Sequence, residues 1–179
     1  LVHVLDVLFG MDNRLGTLVV ETKPSGRTND NFLATCHEYL QFYGVSPTGT
    51  DIGFFELTDE QKAQYAETDS NGAHKWRDFL RTGGYSTPEE RPNSFYPVYY
   101  DRDTGEITLE EKTSFIRILP IDSEGKRRVW RKTPVSFMKH LDAKEIRVVE
   151  NRSGQWKVQI IDRIKEGVRP KSVWVGKAY

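Results

Sequence analysis

Three tight-turn sequences, Asp103-Thr104-Gly105, Asp122 to Gly125 and Asn151-Arg152-Ser153-Gly154, punctuate the second half of the chain. Each lies between short apolar runs. Phe95 to Tyr100 and Glu106 to Leu109 flank the first, Ser114 to Leu119 and Lys126 to Lys132 the second, and Glu145 to Glu150 and Gln155 to Asp162 the third. Glycine enters left-handed backbone without steric cost, and an Asx side chain bonds the amides of its own turn, so such sequences close hairpins. A parallel return needs a crossover of a dozen or more residues, which these spacings do not contain. The second half therefore predicts antiparallel strands. A helix is predicted from Thr133-Pro134, with Thr as N-cap and Pro at the first helical position, to about Leu141.

The first fifty residues have a different texture. Leu1, Val4, Leu5, Leu8 and Phe9 recur at helical spacing and Gly10 closes the pattern. Leu15 to Glu21 is β-branched and apolar, Lys23 to Asn31 is a polar loop, and Cys36 to Tyr43 reads as a second strand. Helix, strand, loop, strand is the pattern of one edge of an α/β sheet. A division near residue 50 follows, giving segments 1–50 and 51–179. Past it, Ile52 to Leu57 predicts a short strand, and Thr58 with Gln61 forms a capping box for a helix over 59–66. Glu67 to Pro92 reads as a long polar loop, with HKWRDFLRTGG forming at most one short helix. The expected class is α+β: an N-terminal sheet edge followed by a mostly antiparallel β domain with short helices.

Hydrophobic residues make up 37% and aromatics 12%, enough for a core in a chain of 179 residues. No apolar run approaches the roughly 20 residues of a membrane span, and the start, LVHVLDVLFG, lacks a basic leader and a small-residue cleavage site. One cysteine, Cys36, rules out an internal disulfide. A cytoplasmic setting is expected and no membrane partner. The chain starts inside a periodic pattern at Leu1 and ends on VWVGKAY, and both ends read as cut from something longer. Neither phosphate-binding glycine loop, a nucleophile elbow nor a paired-histidine zinc motif occurs. No catalytic, cofactor or metal residue is assigned.

What the sequence does offer is basic and aromatic. Lys plus Arg and Asp plus Glu are equal at 26 each, but they segregate: Asp51 to His74 holds six acidic residues and one basic, Lys112 to His140 eight basic and two acidic. The sharpest cluster is Lys126, Arg127, Arg128, Trp130, Arg131 and Lys132. As a strand it would place Lys126, Arg128, Trp130 and Lys132 on one face and Arg127, Val129 and Arg131 on the other. Long cations suit phosphate contact, and the Trp either stacks on a base or packs beneath the arginines. An edge strand kept soluble by charge explains the cluster as well. Lys23, Arg27, Lys75, Arg77, Arg81 and Arg91 fall in predicted loops, where recognition residues are commonly presented. The segment RPNSFYPVYY places four aromatics and two prolines together; Phe95, Tyr96, Val98 and Tyr100 are expected in the core, with Arg91 and Asn93 ordering the preceding loop or meeting DNA.

The order of short motifs resembles the middle of the adenine-specific DNA methyltransferases of type III bacterial restriction-modification systems. LFGMDNRLGTLVV, KPSGR, HEYLQFY, TDEQ, RPNSFYP, RRVWR and KSVW follow one another as they do in that family, across nearly the whole chain. The resemblance implies a corner of the methyltransferase sheet over 1–50 and a target-recognition domain over 51–179. It implies a parent enzyme that uses S-adenosylmethionine, while this piece holds no cofactor and no catalytic motif. Neither an Asp-Pro-Pro-Tyr motif nor a Phe-x-Gly-x-Gly motif is present. The expected partners are double-stranded DNA, a restriction subunit and, in the longer protein, a second copy. DNA contact is expected from Lys23, Arg27, Arg81, Arg91, Lys126, Arg127, Arg128, Trp130, Arg131 and Lys132. The alternative is a module that docks the restriction subunit without touching DNA.

Overall fold

The computed structural model describes residues 1–176; the expected recognition range of 51–179 ends on residues 177–179, which lie outside the described ones. Two compact units emerge. The first joins residues 1–58 to the segment that starts at Lys165, and the second is Asp59–Ile164. The class is mixed α+β as expected, with short helices and mostly antiparallel sheets.

In the first unit, α1 (Val2–Phe9) ends where Gly10 takes φ +85. β1 (Arg14–Glu21) then pairs antiparallel with β2 (His37–Tyr43). The ring of Phe9 on α1 lies 5.4 Å from that of Tyr43 on β2. The Tyr43 hydroxyl donates to Asp6 at 2.7 Å, so helix and sheet share an apolar and a polar contact. The Lys23–Asn31 loop is closed at Gly26, whose φ is +73 and where a Cβ would come 2.6 Å from that of Ala34. Only glycine fits there. The strand expected over 52–57 is reduced to one bridge, Phe55 with Val168. β12 (Val173–Trp174) lies parallel to β1 at Val19 and Val20.

The second unit opens with α2 (Asp59–Ala63), shorter than the capping box suggested. The expected long loop is confined to residues 82–91. The residues before it form β3 (Glu67–Asp69), β4 (Gly72–Asp78) and β5 (Leu80–Arg81). The turn between β3 and β4 uses Gly72 at φ +105, and Asp69 accepts the Asn71 amide at 2.8 Å. The segment looked like a loop because its side chains are polar. Those groups satisfy one another across one face of the sheet: Trp76 Nε1 donates to Glu67 at 2.9 Å, and the Arg147 guanidinium lies 4.2 Å over the Trp76 ring. Phe79, just beyond β4, is fully buried.

The remaining elements follow the turn signals. A 3-10 turn (Pro92–Ser94) leads into β6 (Val98–Tyr100), then β7 (Ile107–Thr108), β8 (Ile116–Ile118), β9 (Val129–Trp130), α3 (Pro134–Asp142), β10 (Ile146–Glu150) and β11 (Trp156–Arg163). They assemble as a four-stranded sheet in the order β10-β11-β4-β3, a β5-β9 pair and a three-stranded β7-β6-β8 sheet. Phe79, Tyr96, Val98, Trp130, Phe137 and Val158 bring these pieces into one apolar cluster. Each large side chain so buried contributes about 1.5–3 kcal/mol. Of the four segment residues expected in this core, Tyr96 and Val98 are buried, Phe95 and Tyr100 half-buried.

The end of β11 lies beside β4. Arg163, at the end of β11, pairs with His74 of β4, and the Ile164 amide donates to Ala73 O at 2.9 Å. Arg163 also forks onto both oxygens of Asp69, at 2.8 and 3.1 Å, and reaches Glu145 at 2.9 Å. The Arg163 bonds hold the Asp69 carboxyl below its ordinary value of 3.8. His140, and then Arg163, hold Glu145 below 4.5. Carboxyls depressed in this way stabilise the fold fully above their unfolded values and lose that contribution as pH falls through the folded ones. The thermal midpoint, followed by circular dichroism, is therefore expected to hold steady from neutral pH to about 4.5 and to fall below it. Arg163→Met should flatten the acid limb; an acid limb of unchanged steepness in that variant would remove this pairing as its cause.

Candidate nucleic-acid interface

The nominated cations are positioned very differently from one another. In the first unit, Lys23 is exposed in its loop and Arg27 pairs with Glu38 at 2.8 Å. In the second, Lys126 pairs with Glu124 at 3.1 Å across the turn. Arg127 lies 4.6 Å over the Phe95 ring. Arg128 is committed inward: its Nε donates to Asp122 at 2.7 Å and its Nη1 to Ser86 Oγ at 3.2 Å. Arg91 is half-buried at the start of the 3-10 turn, and Lys132 is exposed with its carbonyl accepting the Tyr96 hydroxyl at 2.9 Å.

Trp130 is a correction. It is only 3% exposed, stacked 5.4 Å from Phe79, and its Nε1 donates to Tyr96 O at 2.8 Å. It offers no face to a base and belongs to the core beneath the cations. The strict alternation expected over Lys126 to Lys132 also fails. Regular pairing covers only Val129 and Trp130, and both are buried, because β9 is enclosed between β5 and the core.

Arg77, Arg81 and Arg131 do come together. The Arg131 amide donates to Phe79 O at 3.0 Å and its Nε to Asp78 O at 2.8 Å. Arg81, paired through β5 with Val129, spends Nε and one Nη on Gly84 O and Tyr85 O, at 2.9–3.2 Å. Arg77, on β4, lies 3.6 Å from Asp162. Burial, and then the like charges of Arg77 and Arg81, push the Arg131 guanidinium below its ordinary value; Asp78 and Asp162 partly oppose this. The Asp78 carboxylate is shared with Lys157 at 3.4 Å. With the Nε atoms of Arg81 and Arg131 fixed on carbonyls, the three arginines form a partly dehydrated, like-charged cluster. Such a cluster gains from an anion with several oxygens, because guanidinium forks match phosphate geometry and charge repulsion is relieved. Arg77 belonged to the predicted loop cations but stood outside the nominated set. The signal that would have singled it out is its place one strand residue from Asp78, beside the buried Phe79.

The other face of the four-stranded sheet differs. There Arg147 and Arg163 are balanced by Glu67, Asp69 and Glu145. Among the described residues no group of three or more His, Cys, Asp or Glu is placed to hold a metal ion, and no helix is long and apolar enough to cross a membrane.

No family model matches the chain. A curated protein does. The chain is similar to a type II methyltransferase. That relative is M.KpnI of Klebsiella pneumoniae, 34% identical over 128 residues, which is 71% of this chain. The chain spans about 30% of the length of M.KpnI. The matched stretch is longer than the run from Asp59 to Ile164, so the similarity to M.KpnI takes in residues of both units.

Proposed function

We propose that the chain is the recognition portion of a site-specific, S-adenosylmethionine-dependent DNA methyltransferase of a restriction-modification system, and that its second unit grips double-stranded DNA. The observation that carries this reading is the Arg77, Arg81 and Arg131 cluster in a chain similar to M.KpnI. Adenine as the methylated base and the type III subtype rest on motif order alone and are part of the proposal, as are a cytoplasmic setting and pairing of two copies in the longer protein. In this reading, methyl-donor binding and methyl transfer are assigned to no residue of this chain.

The test is fluorescence anisotropy of the full chain with a labelled duplex, read across 50 to 200 mM salt, on the order of the range where counterion release dominates. The logarithm of affinity should fall linearly with the logarithm of salt concentration, with a slope of about −0.9 for each phosphate engaged. Affinity indifferent to salt, or no binding at the lowest salt together with capture of a restriction subunit, would replace the DNA reading with the docking one.

A further inference from the structure

Tyr85 is the one described residue besides Lys144 that is not glycine yet takes a positive φ, at +53. Left-handed backbone costs an ordinary residue on the order of 1–3 kcal/mol and persists only where the surroundings enforce it. The enforcement is visible. Arg81 holds the carbonyls of Gly84 and Tyr85 with three hydrogen bonds of 2.9–3.2 Å. On the far side, Ser86 is buried at 3% exposure and Arg128 donates to its hydroxyl at 3.2 Å. Thr87 then donates its amide and hydroxyl to Glu90, both at 3.0 Å. A loop fixed on both flanks thus presents one residue in a strained conformation.

The Tyr85 ring itself is not packed into the core of the unit. Tyr85 is 72% exposed. Gly83 and Gly84 beside it have open space where a Cβ would stand. A large aromatic that contributes little to the core stands at a loop tip whose backbone is held in place. The guanidinium that holds that backbone is Arg81, a member of the cationic cluster, so loop and cluster share one side chain.

We propose that Tyr85 is a stacking residue that inserts against a nucleobase of the bound duplex while the Arg77, Arg81 and Arg131 cluster holds the adjoining phosphates. This rests on the DNA reading above. The chemistry matches at both ends: guanidinium forks take phosphate, and a phenol ring offers a π face to any base without demanding a particular sequence. A ring pressed into a base step unstacks it in part, which makes Tyr85 a positioning element rather than a reader of hydrogen-bond patterns.

The test uses the full chain and a duplex that it selects from a random-sequence pool, with 2-aminopurine substituted in turn through that duplex. Wild type should brighten 2-aminopurine at one step. Tyr85→Ala should lose that brightening and bind roughly 5- to 140-fold more weakly, the effect of losing about one stacked base, with an unchanged salt slope. Tyr85→Trp should keep the brightening. Tyr85→Gly relieves the backbone, so its thermal midpoint should be equal to or above that of wild type while its binding weakens; a merely structural role would move the two together. If no duplex is bound at all, the DNA reading fails and this proposal with it. If wild type binds and Tyr85→Ala matches it in affinity and in 2-aminopurine signal, the stacking role alone is overturned.

Discussion

Trp130→Ala is expected to destabilise the second unit by about 3–5 kcal/mol, the range for emptying a packed aromatic site. The indole is 3% exposed, stacks 5.4 Å from Phe79 and lies 6.4 Å from Tyr96. Its loss opens a cavity between β5, β9 and the 3-10 turn. It also strips Tyr96 O of its donor at 2.8 Å, and a buried acceptor left unmatched costs about 1–3 kcal/mol. Domains are commonly stable by only about 5–15 kcal/mol, so the variant should show a lowered urea midpoint, or no cooperative transition. Trp130→Phe keeps most of the volume and should fall between the two. A loss under about 1 kcal/mol in Trp130→Ala would mean that Trp130 is not the packing centre described.

The second large effect concerns the cluster. Arg77→Gln combined with Arg131→Gln should lower the salt slope of DNA binding by roughly 2, about 0.9 for each phosphate contact given up, and weaken binding most at low salt. Glutamine keeps a polar head and much of the stem, so the comparison isolates charge. Arg131 loses its bond to Asp78 O in this variant, which makes a circular dichroism melt part of the measurement. A variant with a native melt and an unaltered slope would show that phosphate is gripped elsewhere, with exposed Lys132 and Lys23 as the next positions to change.

Where the sequence spoke clearly, local chemistry was sufficient. Gly105, Gly125 and Gly154 sit at φ +76, +80 and +76, and each turn they close was legible because positive φ is a local demand. Pro134 marked the start of α3 for the same kind of reason. What was hidden depended on partners distant in the chain. HKWRDF reads as a loop until β11 is laid beside it, since Lys75 and Arg77 gain their setting from Asp162 and Ile160. The inward turn of Trp130 is decided by Phe79 and Tyr96, far from it in sequence. The candidate site suffered most. Its three arginines come from two predicted loop positions and one predicted strand position, and only the β5-β9 pairing and the approach of Arg131 to Asp78 bring them together. Tyr85 was invisible for another reason: its backbone conformation, not its identity, sets it apart.

Within the first unit, Phe55 and Val168 exchange two backbone hydrogen bonds of 2.9 Å, so the chain departs toward Asp59 and returns after Lys165 at neighbouring positions. A segment inserted between two such positions can be exchanged for another without re-threading the chain that carries it. On the DNA reading proposed above, a new target preference needs only a graft at two neighbouring points.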